Sequence, residues 1–171
     1  QDQGNRVIFI TERQDRAIAG VKKFVYKLPE HCNANTHRYL RKYEESIFHG
    51  QAAARVALNL KNTGFVPDII IGHTWGQTLF MKDIFPDTPL VGYFEWFYRS
   101  HNSNVDFNKS RPVTIDDEAN VRIMNSHILV DLYTCYRGIC PTQWQLQQFP
   151  AEYHNKIHVM HEGIDTDYFK P

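Results

Sequence analysis

Short runs of β-branched and aromatic residues alternate along this chain with longer segments of helical periodicity. The runs predict strands over residues 6–11, 21–27, 68–72, 89–94, 138–140 and 156–160. DIIIG at 68–72 and PLVGYF at 89–94 are uninterrupted apolar runs, which are typical of strands buried on both faces. The alternation predicts an α/β fold, a Rossmann-like doubly wound parallel sheet with helices on both faces. Its predicted interior strands are 68–72, 89–94 and 138–140.

The longest helix is predicted from apolar residues that recur at helical spacing. It begins at Asn35 or Thr36, and its apolar stripe consists of Leu40, Tyr43, Ile47, Ala54 and Leu58. Gly64 suits the position just after a helix end, and Pro67 cannot continue a helix. The helix is therefore expected to stop at Gly64.

Residue pairs at capping-box spacing predict where two further helices begin. Thr74 and Gln77 open a short helix that contains Leu79, Phe80 and Ile84. Thr114 and Asp117 open a longer one with the apolar stripe Val121, Met124, Ile128, Leu132 and Cys135. A last short helix is predicted over residues 142–149, and the polar segment before Thr114 is expected to be a surface loop.

Length and composition narrow the classes of function. A chain of 171 residues predicts one domain, residues 1–171, with a substantial core. Lys plus Arg and Asp plus Glu each number 19, a balance that favours neither nucleic acid nor an anionic membrane as a general partner. No apolar run approaches the roughly 18 residues of a spanning helix, and no signal peptide opens the chain. We expect a cytoplasmic protein, since its three cysteines form no disulfide framework: Cys32, Cys135 and Cys140.

Ligands of such sheets lie beyond the carboxyl ends of the strands, and the stretch IIIGHTWGQT falls there. Gly72 and Gly76 would let the backbone approach a ligand closely. His73, at the strand end, could take a proton near neutral pH. The pattern fits equally well an arrangement in which His73 only caps a helix and Trp75 packs on the sheet.

Two more stretches fall at strand ends. In GYFEWFYR, Glu95 lies among five aromatic residues, a mixture suited to stacking on a sugar and binding its hydroxyls. The alternative is that the rings form core and Glu95 pairs with Arg99. In ICPTQW, Thr142 opens a helix whose first turn would present N–H groups to the same place, unless it is a plain cap.

Several other kinds of site lack support. The chain contains no GxGxxG, GxxxxGK[ST] or GxSxG pattern, which argues against a typical dinucleotide site, a P-loop and an α/β-hydrolase. His158 and His161 are an odd number of residues apart in a predicted strand, so they are expected to face opposite sides. No zinc or other metal site is therefore expected.

Three stretches in order resemble a known family: PDIIIGHTWGQTLFMKDIFPDTPLVGYFEWFYR, CPTQWQLQQFPAEYHNKI and HVMHEGIDTDYFKP. They are similar to the N-terminal domain of bacterial glycosyltransferases of family 4, in the subgroup with the pattern His-Pro-Gly-Trp-Gly-Glu, Pro-Thr-Trp-Gln and His-Asp-Gly-Ile-Asp-Thr. The resemblance spans residues 6–171. The chain has Thr74 and Gln77 where that pattern has Pro and Glu. It also has Gln143 between Thr and Trp, where Arg is commoner, and Glu162 where Asp or Asn is usual.

The resemblance implies that this chain is the acceptor-side half of a two-domain GT-B architecture. A strand, a glycine-containing loop and a helix would precede Arg6. The Gly-Ile-Asp-Thr turn would lead to a C-terminal domain that binds most of the nucleotide-sugar donor. We therefore expect the chain to be inactive by itself.

The resemblance also implies a retaining glycosyltransferase, of hexosyltransferase type, that moves a sugar from a nucleotide-sugar donor to a sugar-containing acceptor. No metal or other cofactor would be needed, because helix dipoles and basic groups of the second domain would hold the diphosphate. The implied setting is bacterial cell-surface polysaccharide or glycoconjugate synthesis, with peripheral membrane association of the full-length enzyme.

The same resemblance suggests roles for individual residues. His73 would be catalytic. The implied acceptor-binding residues are Thr74, Trp75, Gly76, Gln77, Glu95, Tyr98, Thr142 and Trp144, and His161, Glu162 and Gly163 would lie beside the donor. Two alternatives are a sugar-nucleotide epimerase on the same scaffold and a Rossmann-like binding module without enzymatic activity.

Overall fold

The computed structural model describes residues 4–15, 17–28, 35–103, 105–108 and 110–170. The strands in these residues are β1 (Ile8–Thr11), β2 (Lys22–Val25), β3 (Ile70–His73), β4 (Leu90–Tyr93), β5 (Arg137–Cys140) and β6 (Ile157–Val159). The helices are α1 (Arg41–Asn62), α2 (Met81–Ile84), α3 (Ile115–Met124), α4 (Ser126–Thr134) and α5 (Gln143–Gln148), followed by a 3-10 turn at Ala151–Tyr153.

The strands form two parallel sheets. One has the order β3-β4-β5-β6, and the other pairs β1 with β2. Crossover helices connect the strands of the larger sheet: α4 contacts β4, and α5 contacts β5 and β6. The predicted α/β fold with parallel strands is confirmed, and the domain is Rossmann-like.

One strand lies elsewhere in the sheet than predicted. Within the described residues β3 pairs with β4 alone, so residues 68–72 contribute to an edge strand of this sheet and not to the predicted interior strand. The side chain of Ile71 is 66% exposed. An apolar run predicts buried side chains, but burial also depends on whether a neighbouring strand or helix covers them, and the run does not specify that neighbour.

The main core lies between the larger sheet and helices α4 and α5. Its largest fully buried side chains include Phe94, Phe149 and Leu132. The Phe94 ring lies across two glycines of neighbouring strands: a Cβ on Gly92 or Gly138 would come within 2.6 or 2.8 Å of it. Because Phe94 follows β4 directly, this packing fixes the backbone where the candidate site begins.

Helix α1 differs from the predicted helix in its start and in its buried face. It begins at Arg41, and Leu40 and Leu58 of the predicted stripe are exposed. The buried face consists mainly of small or polar residues: Ser46, His49, Gly50, Ala53, Ala57 and Leu60. A pattern of large apolar residues missed this face because small side chains let neighbouring backbone come close.

The end of α1 matches the prediction. Gly64 has a positive φ of 83°, the conformation that glycine adopts most readily after a helix. Its N–H donates to the Lys61 carbonyl at 2.9 Å, and the Phe65 N–H donates to the Leu60 carbonyl at 3.1 Å. These bonds satisfy carbonyl groups at the end of the helix.

Of the two predicted capping boxes, one is confirmed. Thr114 and Asp117 exchange side-chain-to-backbone hydrogen bonds at the start of α3. Thr74 and Gln77 do not cap a helix, since residues 74–80 form turns and α2 begins only at Met81. The Thr74 hydroxyl instead donates to the carbonyl of Tyr93 in the neighbouring strand β4 at 3.2 Å. The hydroxyl that was predicted to cap a helix therefore binds the sheet.

The helix predicted after Thr114 is divided in two. Asn125 lies between α3 and α4 with its backbone at φ −79° and ψ −6°. None of the described helices is long and apolar enough to cross a membrane.

Candidate functional site

The carboxyl ends of β3, β4 and β5 share one edge of the sheet, where several predicted site residues lie. His73 ends β3, while Glu95 and Thr142 follow the ends of β4 and β5 closely. Because these strands are parallel neighbours, their carboxyl ends lie side by side. We call the surface formed by His73, Trp75, Glu95 and Tyr98 the strand-end site.

His73 is exposed and lies edge-on against Tyr93, with 4.7 Å between the ring centroids. The two residues are register neighbours in β3 and β4. The Tyr93 hydroxyl donates to Glu162. Burial, followed by the nearby Glu162 carboxylate, raises the pKa of Tyr93, so its hydroxyl remains a donor at neutral pH. Tyr93 thus connects His73 to the segment that contains Glu162, a role that its place in an apolar strand did not indicate.

Trp75 connects two other predicted residues. Its indole N–H donates to Glu95 Oε2 at 3.4 Å. Its ring centroid lies 6.2 Å from that of Tyr98 and 6.3 Å from that of His127. Burial raises the pKa of Tyr98. An aromatic surface and a carboxylate therefore lie together at the end of the sheet.

The loop after β3 is anchored on both sides. Thr74 is buried, and both its N–H and its hydroxyl donate to the Tyr93 carbonyl. Gly76 has φ 120°, and a Cβ there would lie 2.3 Å from the Ser46 carbonyl oxygen. The close approach that Gly76 permits is therefore to helix α1, and a role of Gly76 toward a ligand stays a prediction.

Gln77 faces a polar cluster on the other side of this loop. Its amide nitrogen lies 3.4 Å from His49 Nδ1. The Tyr26 hydroxyl lies 3.0 Å and the Glu12 carboxylate 4.0 Å from the same nitrogen. We call Glu12, Tyr26, His49 and Gln77 the His49 cluster. Gln77 thus connects the loop to α1, and its role toward an acceptor stays a prediction.

Helix α5 meets the strand-end site through Gln145. Thr142 caps the helix: its hydroxyl accepts from the Gln145 N–H at 3.1 Å and donates to the Gln145 side chain. Gln145 in turn donates to the Glu95 carbonyl at 2.8 Å. The Thr142 hydroxyl is thus engaged within α5, while Gln145, which the sequence pattern did not indicate, makes the contact with the β4 loop.

Trp144 and Arg99 lie beside the strand-end site. Acceptor binding by Trp144 stays a prediction, and Arg99 binds backbone carbonyls where the alternative interpretation paired it with Glu95. Trp144 is about half exposed, and its ring lies 5.3 Å from that of Trp96. Arg99 donates to the Gln148 and Phe149 carbonyls at 2.7 and 3.3 Å. The described residues show no ion pair between Arg99 and Glu95, so the Glu95 carboxylate keeps only its long contact with Trp75.

A buried carboxyl group lies beneath the loop. Asp131 of α4 is fully buried, and its Oδ2 accepts a hydrogen bond from the Thr78 hydroxyl at 2.9 Å. The same hydroxyl lies 3.4 Å from the His73 carbonyl oxygen. Burial raises the pKa of Asp131 to about 7, although the Thr78 hydrogen bond acts against this. Oδ1 has no partner among the described residues.

His127 is a second buried polar group on the same helix. Neither ring nitrogen has a partner among the described residues, and burial lowers the pKa of His127 to about 4. The imidazole is therefore neutral near pH 7. Asp131 and His127 lie among the apolar residues of α4, and this pattern hid them from the sequence analysis.

The predicted donor-side segment is exposed. His161 Nδ1 accepts from the Gly163 N–H at 2.9 Å, and Gly163 has φ 83°. His161 lies beyond the end of β6, so strand alternation does not decide its direction. The described ranges contain no group of three or more His, Cys, Asp or Glu residues that could hold a metal ion. Cys135 and Cys140 are free and buried, and Cys32 lies outside the described residues.

Parallel strands with aromatic, carboxylate and imidazole side chains at their carboxyl ends define a Rossmann-like domain with a candidate ligand site at the sheet edge. The family model described as glycosyl transferase family 4 group matches residues 3–169. The chain therefore belongs to the glycosyl transferase family 4 group. No curated protein matches it.

Proposed function

We propose that this chain is the acceptor-side domain of a retaining glycosyltransferase that moves a sugar from a nucleotide-sugar donor to a sugar-containing acceptor. The observation that carries the proposal is the contact between Trp75 and Glu95, beside Tyr98 and at the same sheet edge as His73. Flat apolar rings beside an acceptor of hydrogen bonds suit a sugar, which has both an apolar face and hydroxyl groups. Family membership supports the transferase class.

Each residue of the strand-end site has a proposed role. Trp75 and Tyr98 offer their rings to the acceptor sugar, and the exposed Glu95 carboxylate accepts hydrogen bonds from its hydroxyls. The exposed His73 imidazole contacts the reacting groups, where a side chain that can donate or accept a proton contributes most to the rate. Tyr93, packed edge-on against it, holds the His73 ring in place.

The donor belongs, in this proposal, mainly to a second domain of the complete GT-B protein. This chain has no glycine-rich phosphate loop that could hold a diphosphate. Glu162, bonded to Tyr93, brings the segment 161–163 next to His73, where it would meet the donor. We propose that the transfer needs no metal ion.

We also propose one further parallel strand between β1 and β3 in the complete protein. Among the described residues each of these two strands is paired on one side only. Ile10 of β1 and Ile70 of β3 pack against the same cluster, which includes Ala53 and Ala57 of α1. Strands β1 and β3 thus each have an unpaired edge and pack on the same helix, α1. One strand between them would pair both edges and join the two sheets.

The proposal is tested with the full-length protein, a nucleotide-sugar panel and a set of sugar acceptors. For a donor and acceptor that the wild-type protein converts, Trp75→Ala and Glu95→Gln should each raise the KM for the acceptor about tenfold. This is the loss of affinity expected for one stacking or hydrogen-bonding contact. Tyr133→Ala is the matched control, because this exposed tyrosine lies in the last turn of α4, just before the amino end of β5. Unchanged acceptor KM values in both variants would refute this assignment of the site.

A further inference from the structure

We propose that the cleft between residues 97–102 and helix α3 is a subsite for a negatively charged group on the acceptor sugar. We call it the arginine cleft and define it by Tyr98, Arg99, His101, Glu118, Arg122 and Asn125. The inference rests on the proposed function, since it extends the acceptor site past Tyr98. It also makes a separate claim about the chemistry of the acceptor.

The cleft has the size and walls of a sugar site. Its volume is about 500 Å³, within the range of small-molecule sites. Phe97, Val121 and Pro150 provide apolar walls, and the charged side chains lie between them. A monosaccharide could therefore place a ring face against the walls and still meet polar groups.

The cleft shares Tyr98 with the strand-end site. Tyr98 lines the cleft, and its ring is also a neighbour of the Trp75 ring. Buried Asn125 holds the Tyr98 backbone with two hydrogen bonds. The Asn125 Oδ1 accepts from the Tyr98 N–H at 2.9 Å, and the Asn125 amide donates to the Tyr98 carbonyl at 2.8 Å. A ligand at Trp75 could thus extend past Tyr98 into the cleft.

The charges of the cleft favour an anion. Glu118 lies 2.9 Å from a ring nitrogen of His101 and is the one carboxylate among the residues that line the cleft. Two guanidinium groups, those of Arg99 and Arg122, stand against this single carboxylate. Arg99 uses Nε and Nη2 for backbone carbonyls, and its other nitrogen retains N–H donors. Arg122 is exposed in the last turn of α3.

Guanidinium groups match the geometry of carboxylate and phosphate oxygens. The cleft is therefore suited to a sugar that carries one of these anions. A neutral sugar would offer these two guanidinium groups no charged partner.

The test measures binding to the full-length protein by calorimetry, with glucuronic acid, glucose 6-phosphate, inorganic phosphate and neutral glucose as probes. The two acidic sugars should bind about tenfold more tightly than glucose, and added salt should reduce this difference. Tighter binding of glucuronic acid would identify a carboxylate subsite, and tighter binding of glucose 6-phosphate a phosphate subsite. Equal affinities for glucose and both acidic sugars would overturn the proposal. Binding by inorganic phosphate as tight as by glucose 6-phosphate would also overturn it, since the sugar would then contribute nothing.

Variants separate this proposal from the proposed function. Arg122→Gln should lower the affinity for the acidic sugars about tenfold and leave the affinity for glucose unchanged. Glu118→Gln should raise the affinity for the acidic sugars, an effect that misfolding would not produce. Arg137→Gln, at the amino end of β5 and so at the other end of the strands from the site, is the control. Trp75→Ala should weaken neutral and acidic sugars alike. If Arg122→Gln changes binding and Trp75→Ala does not, the strand-end site is refuted and the arginine cleft is supported. If Trp75→Ala changes binding and Arg122→Gln does not, only the arginine cleft is refuted.

Discussion

The Thr78 hydroxyl lies 2.9 Å from the buried Asp131 carboxyl group and 3.4 Å from the carbonyl oxygen of His73. One short side chain thus connects a group inside the protein to the backbone of the candidate catalytic residue. The carboxyl group also has a pKa of about 7, because it is buried. The protonation of a group that no solvent reaches is therefore coupled to the loop that forms the site.

The raised pKa of Asp131 predicts that the free energy of unfolding depends on pH. In the unfolded chain Asp131 ionises near pH 4, but in the folded protein it stays protonated up to about pH 7. Between these values the folded protein binds more protons than the unfolded chain, so the free energy of unfolding falls as the pH rises. The loss is at most about 4 kcal/mol and is complete above pH 7.

Asp131→Asn keeps the shape of the side chain and an oxygen for Thr78, but it cannot ionise. Urea denaturation of wild type and variant from pH 4 to pH 8 measures the difference. The two proteins should diverge progressively, with the variant gaining relative stability as the pH rises. Parallel curves would show that Asp131 ionises normally in the folded protein.

His127 should have the opposite effect. Its folded pKa is about 4, below the ordinary value, so at pH 4 to 6.5 the unfolded chain binds the extra proton. The free energy of unfolding should therefore decrease as the pH falls through this window. His127→Gln removes that titration, and its stability should depend less steeply on acid than that of the wild type. A variant as acid-sensitive as the wild type would contradict the buried, neutral imidazole.

Asn125 should stabilise the fold through its two hydrogen bonds to the Tyr98 backbone. Asn125→Ala leaves that N–H and carbonyl without their partners, and we expect a loss of about 1–3 kcal/mol in the free energy of unfolding. The control is Asn120→Ala in the preceding turn, whose amide contacts only the Met124 sulfur in the described structure. Equal losses in the two variants would indicate a general effect of helix substitutions.

Gly76 should tolerate no side chain. Gly76→Ala combines a strained φ of 120° with a Cβ 2.3 Å from the Ser46 carbonyl oxygen, so a loss of about 2–5 kcal/mol is expected. Gly64→Ala is the matched control, since φ is 83° there but nothing lies within 4 Å of the added carbon. It should cost only about 1–2 kcal/mol. Thermal unfolding compares the two, and a Gly76→Ala variant no less stable than Gly64→Ala would contradict the packing of the loop on α1.

The sequence predicted the parts of the fold that depend on local patterns. Strand β4 lies within its apolar run, β3 overlaps its run and ends one residue beyond it at His73, and Gly64 follows the end of α1, because these features depend on neighbouring residues. The face of α1 was misjudged because Gly50 and Ala53 pack more closely than Leu58 could. Thr74 and Gln77 have the spacing of a capping box, but the Thr74 hydroxyl binds the Tyr93 carbonyl of the neighbouring strand and caps no helix.

The candidate site was predictable only in outline. That His73 and Glu95 lie at strand ends follows from the order of elements, and parallel strands bring such ends together. The Trp75–Glu95 contact, the Asn125 bonds to Tyr98 and the Thr78–Asp131 bond join residues 20 to 53 positions apart. Such contacts depend on sheet register and on how α4 packs, which spacing along the chain does not specify.

The most direct test of the account is the effect of His73→Ala on kcat and on the acceptor KM of the full-length enzyme. If the imidazole acts in the transition state, kcat should fall about 100-fold or more, while the acceptor KM changes less than about threefold. Tyr133→Ala, in the last turn of α4 beside the amino end of β5, is the control and should leave kcat unchanged. An unchanged kcat with a raised acceptor KM would contradict the catalytic role and leave His73 as a binding residue.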